Sequence, residues 1–258
     1  MKGWKLNAYL RSYLLQAGWN YDRMQHLGFA LAVLPGLRRI HAGNAAALTS
    51  ATTRHLEYFN THPYLGPTLI GAALHLEEEV AANRRRPDEV TSFKNSIMGS
   101  YGAIGDSFFW AALRPFGAVI AVAMVLLGAG GWGPAAFVIG FDLLAFALRT
   151  WGFFAGVRLG PPVVARLAKV DFSSATRVVK IASAVVAGLV AALWAAGLPE
   201  TPPAPVPGLG QALAPFLTWQ ILAFPLVVVL AGTARRGVSP AAAAVVLAAG
   251  AAAWKGLS

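Results

Sequence analysis

Long uncharged runs dominate the second half of this sequence, and two of them have almost the length of a membrane-spanning helix. Residues 181–198 and 212–232 are rich in Ala, Val and Leu, and about 20 such residues cross the roughly 30 Å of hydrocarbon in a bilayer. A third run, residues 241–254, is shorter and would need support from flanking residues or neighbouring helices. The pattern predicts an all-α, polytopic integral membrane protein.

A further apolar stretch, residues 115–148, is interrupted by a glycine-rich segment at residues 128–134. Each arm is too short to cross the bilayer comfortably, so we expect a re-entrant hairpin or two broken half-helices, which membranes tolerate where other protein covers the exposed backbone. The alternative is two ordinary spans joined by a glycine turn.

Positive charges cluster between the apolar runs and predict their orientation. Residues 149–180 contain six Lys or Arg and one Asp, whereas residues 199–211 contain no Lys or Arg. By the positive-inside rule, residues 149–180 and 233–240 are predicted to be cytoplasmic, and residues 199–211 and the C-terminus external.

The first part of the chain is more polar and predicts shorter helices. Residues 4–15 mix Trp, Leu and Tyr with Lys and Arg, which is typical of an amphipathic helix at the membrane surface; packing on the protein itself explains the pattern equally well. Further helices are predicted at residues 49–60, capped by Thr49 or Ser50, and at residues 74–83. We expect Glu77 to Glu79 to form a solvated, cytoplasmic face. The sequence thus divides into a polar half, residues 1–114, and a hydrophobic transmembrane half, residues 115–258.

Composition excludes several classes of function. Hydrophobic residues make up 57% of the chain and charged residues 12%, about half of the usual charged fraction of a soluble domain. The formal net charge is +10, but the basic residues lie at the ends of apolar runs rather than on one solvated face, so nucleic-acid binding is not indicated. The chain has no cysteine, which removes disulfides and a thiol nucleophile. The five histidines have no metal-ligand spacing, and we expect no metal and no cofactor.

A glycine-rich block at residues 98–110 is the densest candidate for a binding site. Its glycines permit tight turns or close approach to a ligand, and Asp106 follows the last of them. Asp106 is either the N-cap of the next apolar helix or an acid at membrane depth that accepts hydrogen bonds from sugar hydroxyls beside Trp110; both roles are compatible. An aspartyl-protease pair with Asp142 fits poorly, because Ala103 stands where that motif has its first glycine.

Four segments, in this order, resemble the IID membrane subunit of the mannose/fructose/sorbose phosphotransferase systems. They are residues 15–29 with Pro35, residues 54–63, the acids of residues 76–78, and residues 98–115. The sequence departs from the family pattern at Ser107, where Pro is frequent, and at His62, where Gln is frequent.

The resemblance implies an all-helical subunit of the bacterial inner membrane that forms the sugar path with a IIC subunit of related, inverted architecture. The pair would assemble as a trimer of heterodimers, and cytoplasmic IIB, supplied by IIA, would phosphorylate the imported hexose-type sugar. This subunit would not be catalytic by itself. From polarity and the matching motifs, we expect a sugar pocket formed by Asn20, Glu57, Asn60 and Asp106, with Trp110 or Trp19 as an aromatic wall.

The alternative function belongs to a different class. In it, the chain is a non-transporting scaffold or regulator that docks a IIB-like protein through residues 84–94 and 149–180. A IIC gene beside this one favours transport, and its absence favours the scaffold.

Overall fold

The computed structural model describes residues 3–195, and every regular element in that range is helical. The predicted runs at residues 212–232 and 241–254, the loops at residues 199–211 and 233–240, and the C-terminus lie outside the described residues. The all-α prediction is confirmed. The helices are α1 (Gly3–Arg11), α2 (His26–Ile40), α3 (Ala45–His55), α4 (Gly66–Ala81), α5 (Pro87–Gly105), α6 (Arg114–Met124), α7 (Trp132–Leu159), α8 (Val163–Leu167) and α9 (Phe172–Ala195).

Three helical segments are long and apolar enough to cross a membrane: Pro87–Ala129, Trp132–Leu159 and Val163–Ala192. The first is a continuous run in which α5 and α6 are joined by a π-helical segment, Asp106–Leu113, and followed by a second, Val125–Ala129. Gly128 and Gly130, with φ of +90° and +53°, then make the turn into α7, a backbone conformation that side chains disfavour.

The half-helices expected in residues 115–148 are therefore not present. Both helical runs there are long and apolar enough to cross a membrane, which agrees with the alternative of two spans joined by a glycine turn. The arms looked short because the apolar stretch was counted from Pro115, whereas the helical run begins at Pro87. Pro115 sits near the start of α6, where the wider π-helical turn before it accommodates the missing amide donor.

Residues 149–180 do not form the single loop that the charge pattern suggested, and their predicted cytoplasmic side stays a prediction. Arg149 and Arg158 belong to α7, and Arg177 and Lys180 belong to α9. Only short connections around α8, one of which contains Lys169, are not helical. Most of these basic residues therefore belong to helices, and Arg149 is buried.

The shorter helices differ from their predicted bounds. The helix expected at residues 49–60 begins at Ala45, because the Asn44 side chain accepts a hydrogen bond from the Ala47 amide at 2.9 Å and caps it. The helix expected at residues 74–83 begins eight residues earlier, at Gly66. α1 packs on α2 with Ala8 and Tyr9 buried, as in the alternative of packing on the protein itself, and Leu6 and Leu10 stay exposed.

The core of the described region is centred on α4, which packs along α7. Their backbones touch where Gly71 of α4 meets Phe153 and where Gly152 and Gly156 of α7 meet Thr68; a Cβ at any of these glycines would overlap the opposite helix. Two small residues four positions apart are the usual device for close helix contact in membranes. This packing holds the N-terminal helices against the second span.

Candidate functional site

Three of the four segments that carry the family resemblance meet at one short irregular segment, residues 59–63, which we call the central segment; the fourth, residues 76–78, lies against the end of α3 that leads into it. On one side lies the turn that precedes α2. Met24 is bridged to Phe59, and the Gln25 amide donates to the Phe59 carbonyl at 2.8 Å. The Gln25 side chain donates to the Thr61 carbonyl at 2.8 Å and accepts from the Thr61 amide at 3.1 Å. A buried amide side chain thus pairs with the segment as a neighbouring strand would.

The glycine-rich block packs on the opposite side of the central segment. The block is helical throughout, so its glycines make no turn. A Cβ on Gly105 would overlap the His62 side chain, and Gly102 lies beside the Thr61 backbone. The absence of side chains therefore serves close approach of a protein segment rather than of a ligand.

Beyond Gly105, the π-helical segment and α7 build an aromatic cluster over His62. The His62 ring stacks on Phe109 with centroids 5.0 Å apart, and the Trp110 ring lies at the same distance. Trp110 lies 5.5 Å from Tyr64 and is nearly parallel to Phe141 at 6.4 Å. π-helical segments are frequent at functional sites because they re-aim side chains, and here one aims an aromatic surface at the central segment.

Arg149 ties the central segment to the second span. Its two terminal nitrogens donate to the carbonyls of Pro63, at 3.1 Å, and Ser12, at 2.9 Å. The guanidinium also lies 4.1 Å above the Tyr13 ring, a favourable cation–π arrangement. A buried guanidinium needs such partners, and they fix Pro63 relative to α7.

Glu77 anchors the C-terminal end of α3, four residues before the central segment. The carboxylate is fully buried and accepts from His55 Nε2 at 2.9 Å, Arg54 Nε at 3.1 Å and His41 Nε2 at 3.4 Å. Lys94 Nζ donates to the Arg54 carbonyl at 2.6 Å. The expectation of a solvated face is therefore wrong for Glu77. Along α4, Glu77 follows Leu74 by three residues and Ala73 by four, which places it on the buried side.

The charge states in this cluster follow from its geometry. Burial raises the pKa of Glu77, but the hydrogen bonds from His55 and His41 and the charge of Arg54 outweigh burial and lower it below its usual value. Burial lowers the pKa of His55 although the hydrogen bond to Glu77 opposes this. At neutral pH the cluster therefore contains an ionised Glu77 beside a neutral His55.

His62 is also neutral, for similar reasons. Burial, together with the charge of Arg149, lowers the pKa of His62 to about 4. Its Nδ1 accepts from the Tyr64 amide at 3.3 Å. Within residues 3–195, six buried side-chain polar atoms have no hydrogen-bond partner, and three of them lie on or beside the central segment: His62 Nε2, Thr61 Oγ1 and the Tyr101 hydroxyl. The other three are His26 Nδ1, His55 Nδ1 and Arg149 Nε. Hydrogen-bonding capacity is therefore left over on and beside the central segment.

Three of the predicted sugar-binding residues lie on the side of the central segment that faces the turn before α2, which we call the near side. Asn60 is exposed directly after Phe59. Asn20 lies in the turn bridged to Met24, where its side-chain oxygen accepts from the amides of Asp22 and Arg23 at 3.1 and 3.0 Å. Trp19 is exposed and packs edge-on against Tyr21. The Asn20 side chain is thus engaged in shaping its own turn.

Asp106 and Trp110 lie on the opposite side of the central segment, with the glycine-rich block, which we call the far side. Asp106 is exposed and has helical φ and ψ of −62° and −41° inside the continuous run, so the N-cap interpretation is wrong; an N-cap has non-helical angles. Trp110 is half-buried, one turn along from Asp106. The two side chains therefore share one stripe of the helix.

Glu57 is separate from Asp106. Its carboxylate lies 4.0 Å from Lys94 Nζ, and it lines an open polar surface groove of about 550 Å³ together with Ser50, Thr53, Arg54, Pro87, Asp88, Thr91 and Ser92. Lys94 and Asp106 are twelve residues apart on one helical run, a rise of about 18 Å along the backbone. No hydrogen bond or ion pair joins Glu57 to Asp106 in residues 3–195.

Sequence reasoning missed Gln25, Glu77 and Arg149, the residues that hold the central segment. Glu77 had a signal, its helical spacing from Ala73 and Leu74; Gln25 and Arg149 act on distant backbone carbonyls and gave none. Within residues 3–195, no group of three His, Cys, Asp or Glu side chains is placed to hold a metal ion.

Comparison with known proteins agrees with the four segments. The profile of the family described as "PTS system mannose/fructose/sorbose family IID component" matches residues 3–198. The mannose-specific EIID component of Escherichia coli K12 is 36% identical over 158 residues, 61% of this chain and 56% of that protein. The fructose permease IID component of Bacillus subtilis is 28% identical over 189 residues, 73% of this chain and 68% of that protein.

Solved structures are similar as well. One, titled "Structure of membrane protein", is 31% identical with a TM-score of 0.65, and the match covers 74% of this chain and 70% of that one. A chain of the cryo-electron microscopy structure of the mannose transporter ManYZ with microcin E492 is 28% identical with a TM-score of 0.59, and the match covers 99% and 96% of the two chains. The aligned region spans little more than half the length of the E. coli relative.

Proposed function

Because the chain belongs to the IID component family of the mannose/fructose/sorbose phosphotransferase systems, we propose that it forms, with a IIC subunit, the path by which a hexose-type sugar enters the cell. The match over residues 3–198 and the three apolar segments of spanning length support this proposal. The similarity to a chain of the mannose transporter complex supports a second membrane subunit as partner.

In this proposal the chain supplies the path and not the chemistry. Cytoplasmic IIB, charged by IIA, phosphorylates the arriving sugar, and this subunit works without a catalytic residue or cofactor of its own. It lies in the bacterial inner membrane with its C-terminus outside, as the distribution of positive charge predicts. The assembly is a trimer of IIC–IID heterodimers, in which residues 1–114 and 115–258 act as the polar and the transmembrane halves.

The proposed sugar contacts are Asp106 and Trp110 on the far side of the central segment and Asn60 on its near side. A carboxylate accepts hydrogen bonds from sugar hydroxyls, and an indole face packs on the C–H side of the ring. Asn20 and Trp19 form the near rim. Glu57 contributes to the path at a separate position, at the groove beside α3. The observation that carries this site is that residues 15–29 and 98–115 both pack on residues 59–63, which belong to the segment 54–63.

Uptake of labelled mannose, fructose and sorbose by cells with this chain, its cognate IIC, and IIA and IIB tests the function. We expect uptake of one of these sugars that needs both membrane subunits. Equal uptake without this chain would refute the transport role and favour the scaffold.

The site is tested by Asp106→Asn, with Asp171→Asn, at an exposed position before α9, as a matched control. We expect Asp106→Asn to raise the KM of uptake about 10-fold or more, the usual cost of a hydrogen bond to a charged group, and Asp171→Asn to leave uptake unchanged. Unaltered uptake by Asp106→Asn would remove Asp106 from the site.

A further inference from the structure

Two charged side chains lie at similar depth on the hairpin of α6 and α7. Gly117 packs against Phe137, and Gly133 packs against Ala121, so this antiparallel pairing places Arg114 opposite residue 140, within one turn of Asp142. Asp142 is eleven residues from Gly131, or about 16 Å along the helix, which is half the thickness of the hydrocarbon region.

Both charges border the aromatic cluster described above. The Arg114 guanidinium lies 4.7 Å above the Trp110 ring. Trp110 is nearly parallel to Phe141, the residue before Asp142, and Tyr64 lies within 6 Å of both rings. The pKa of Tyr64 is raised, mainly by burial, while the charges of Arg114 and Asp142 act on it in opposite directions. An aromatic surface thus has a cation on one edge and an anion on the other.

Neither charge is neutralised within residues 3–195. Arg114 and Asp142 are both exposed, and in this described part of the chain neither forms an ion pair within 4.0 Å. Charged residues inside spans are costly; they face a bundle interior or a water-filled cavity and mark substrate pathways.

Asp142 lies at the boundary between two faces of α7. On one side are Ala145 and Arg149, three and seven residues later, and both are buried. On the other side are the exposed apolar side chains Ile139, Leu143 and Phe146, which suit contact with lipid or with an apolar partner surface. A carboxylate at this boundary can reach a path along the buried face without facing lipid directly.

We propose that Arg114 and Asp142 are sugar-contacting residues that extend the site beyond Asp106 and Trp110. A hexose packs on the surface of Trp110 and Phe141, Arg114 donates hydrogen bonds to its hydroxyls, and the Asp142 carboxylate accepts them. This inference rests on the proposed function, since it names further contacts of the same sugar path.

Single cysteines test the proposal cleanly because the chain has none of its own. Asp142→Cys and Arg114→Cys are made in the complex with the cognate IIC, itself freed of cysteine, and treated with a charged, water-soluble methanethiosulfonate. Leu143→Cys, at the depth of Asp142 but about 100° around the helix on the exposed apolar face, is the matched control. We expect the cysteines at positions 114 and 142 to react with the reagent and the control cysteine to stay unreactive. Mannose, fructose and sorbose are each added in turn, and the sugar that the complex transports should slow the rate of modification at both positions at least 5-fold.

Kinetics give a second measurement. Asp142→Asn keeps the shape and loses the charge, and we expect the KM of uptake to rise about 10- to 100-fold with the complex still assembled. Unreactive site cysteines, or reaction that sugar does not slow, would overturn the proposal. So would loss of IIC co-purification in Asp142→Asn, because the carboxylate would then be a subunit contact.

The two proposals fail in different ways. If the wild-type complex takes up none of the three sugars, the transport function fails; if it transports while the cysteines remain unprotected, only the assignment of Arg114 and Asp142 fails.

Discussion

Replacing His62 by Gln should make the stability of the folded protein less sensitive to acid, because the buried imidazole of His62 resists protonation. In the folded protein the pKa of His62 is lowered to about 4, whereas in an unfolded chain a histidine titrates near its ordinary value of about 6.5. Between these values the unfolded chain binds the proton and the folded protein does not, so stability falls as the pH drops from about 6.5 toward 4.

The size of the effect follows from the two pKa values. Between pH 7 and pH 5 the free energy of unfolding should fall by about 2 kcal/mol on account of His62 alone. For a chain of this size that corresponds to roughly 4–8 °C in melting temperature. Gln is neutral at both pH values, and its side-chain oxygen can accept from the Tyr64 amide as Nδ1 of His62 does.

The assay is the melting temperature of the purified complex in detergent at pH 7 and pH 5, for wild type and His62→Gln. Other groups titrate in both proteins, so the difference between the two pH shifts isolates His62. Between pH 7 and pH 5, we expect the melting temperature of His62→Gln to fall by roughly 4–8 °C less than that of the wild type. Equal shifts in the two proteins would show that His62 takes up its proton as readily in the folded state as in the unfolded one.

Three further substitutions test the packing of the central segment and of α3, the helix before it. Gly105→Ala places a methyl group in the His62 ring and should destabilise the complex by about 1–3 kcal/mol, whereas Gly99→Ala, which has open space, should not; equal melting temperatures would contradict the close packing. Glu77→Ala leaves Arg54 buried without its carboxylate and should cost about 3–5 kcal/mol, seen as loss of detergent-stable protein; full recovery of folded protein would contradict the anchoring role. Asn44→Ala removes the cap of α3 and should lower stability by about 1 kcal/mol in the same melting experiments. Unchanged stability would show that Thr49 or Ser50 caps the helix instead, as the sequence predicted.

Hydropathy and the four family segments were enough to predict the all-α membrane fold and the family. They did not predict where helices begin, because helix starts here depend on one side chain each. α3 begins four residues before the expected start since Asn44 caps it, and the first span begins at Pro87 since Glu89 and Arg86 complete its N-terminal hydrogen bonds.

The site was predictable as a set of segments but not as a geometry. Polarity selected Asn60, Asp106 and Trp110, which lie in or beside residues 59–63, and it selected Glu57 as well, which lines the groove beside α3. Glu77 and Arg149 were misjudged because a charge usually signals exposure, and here each is buried against partners that lie far away in sequence.

The two backbone hydrogen bonds of Arg149 constrain how the subunit can move. One guanidinium donates to carbonyls that belong to the turn after α1 and to the central segment, so tilting or sliding α7 would either break these hydrogen bonds or move both segments with it. In the proposed transport cycle we therefore expect these three parts to move as one unit and the bending to take place elsewhere.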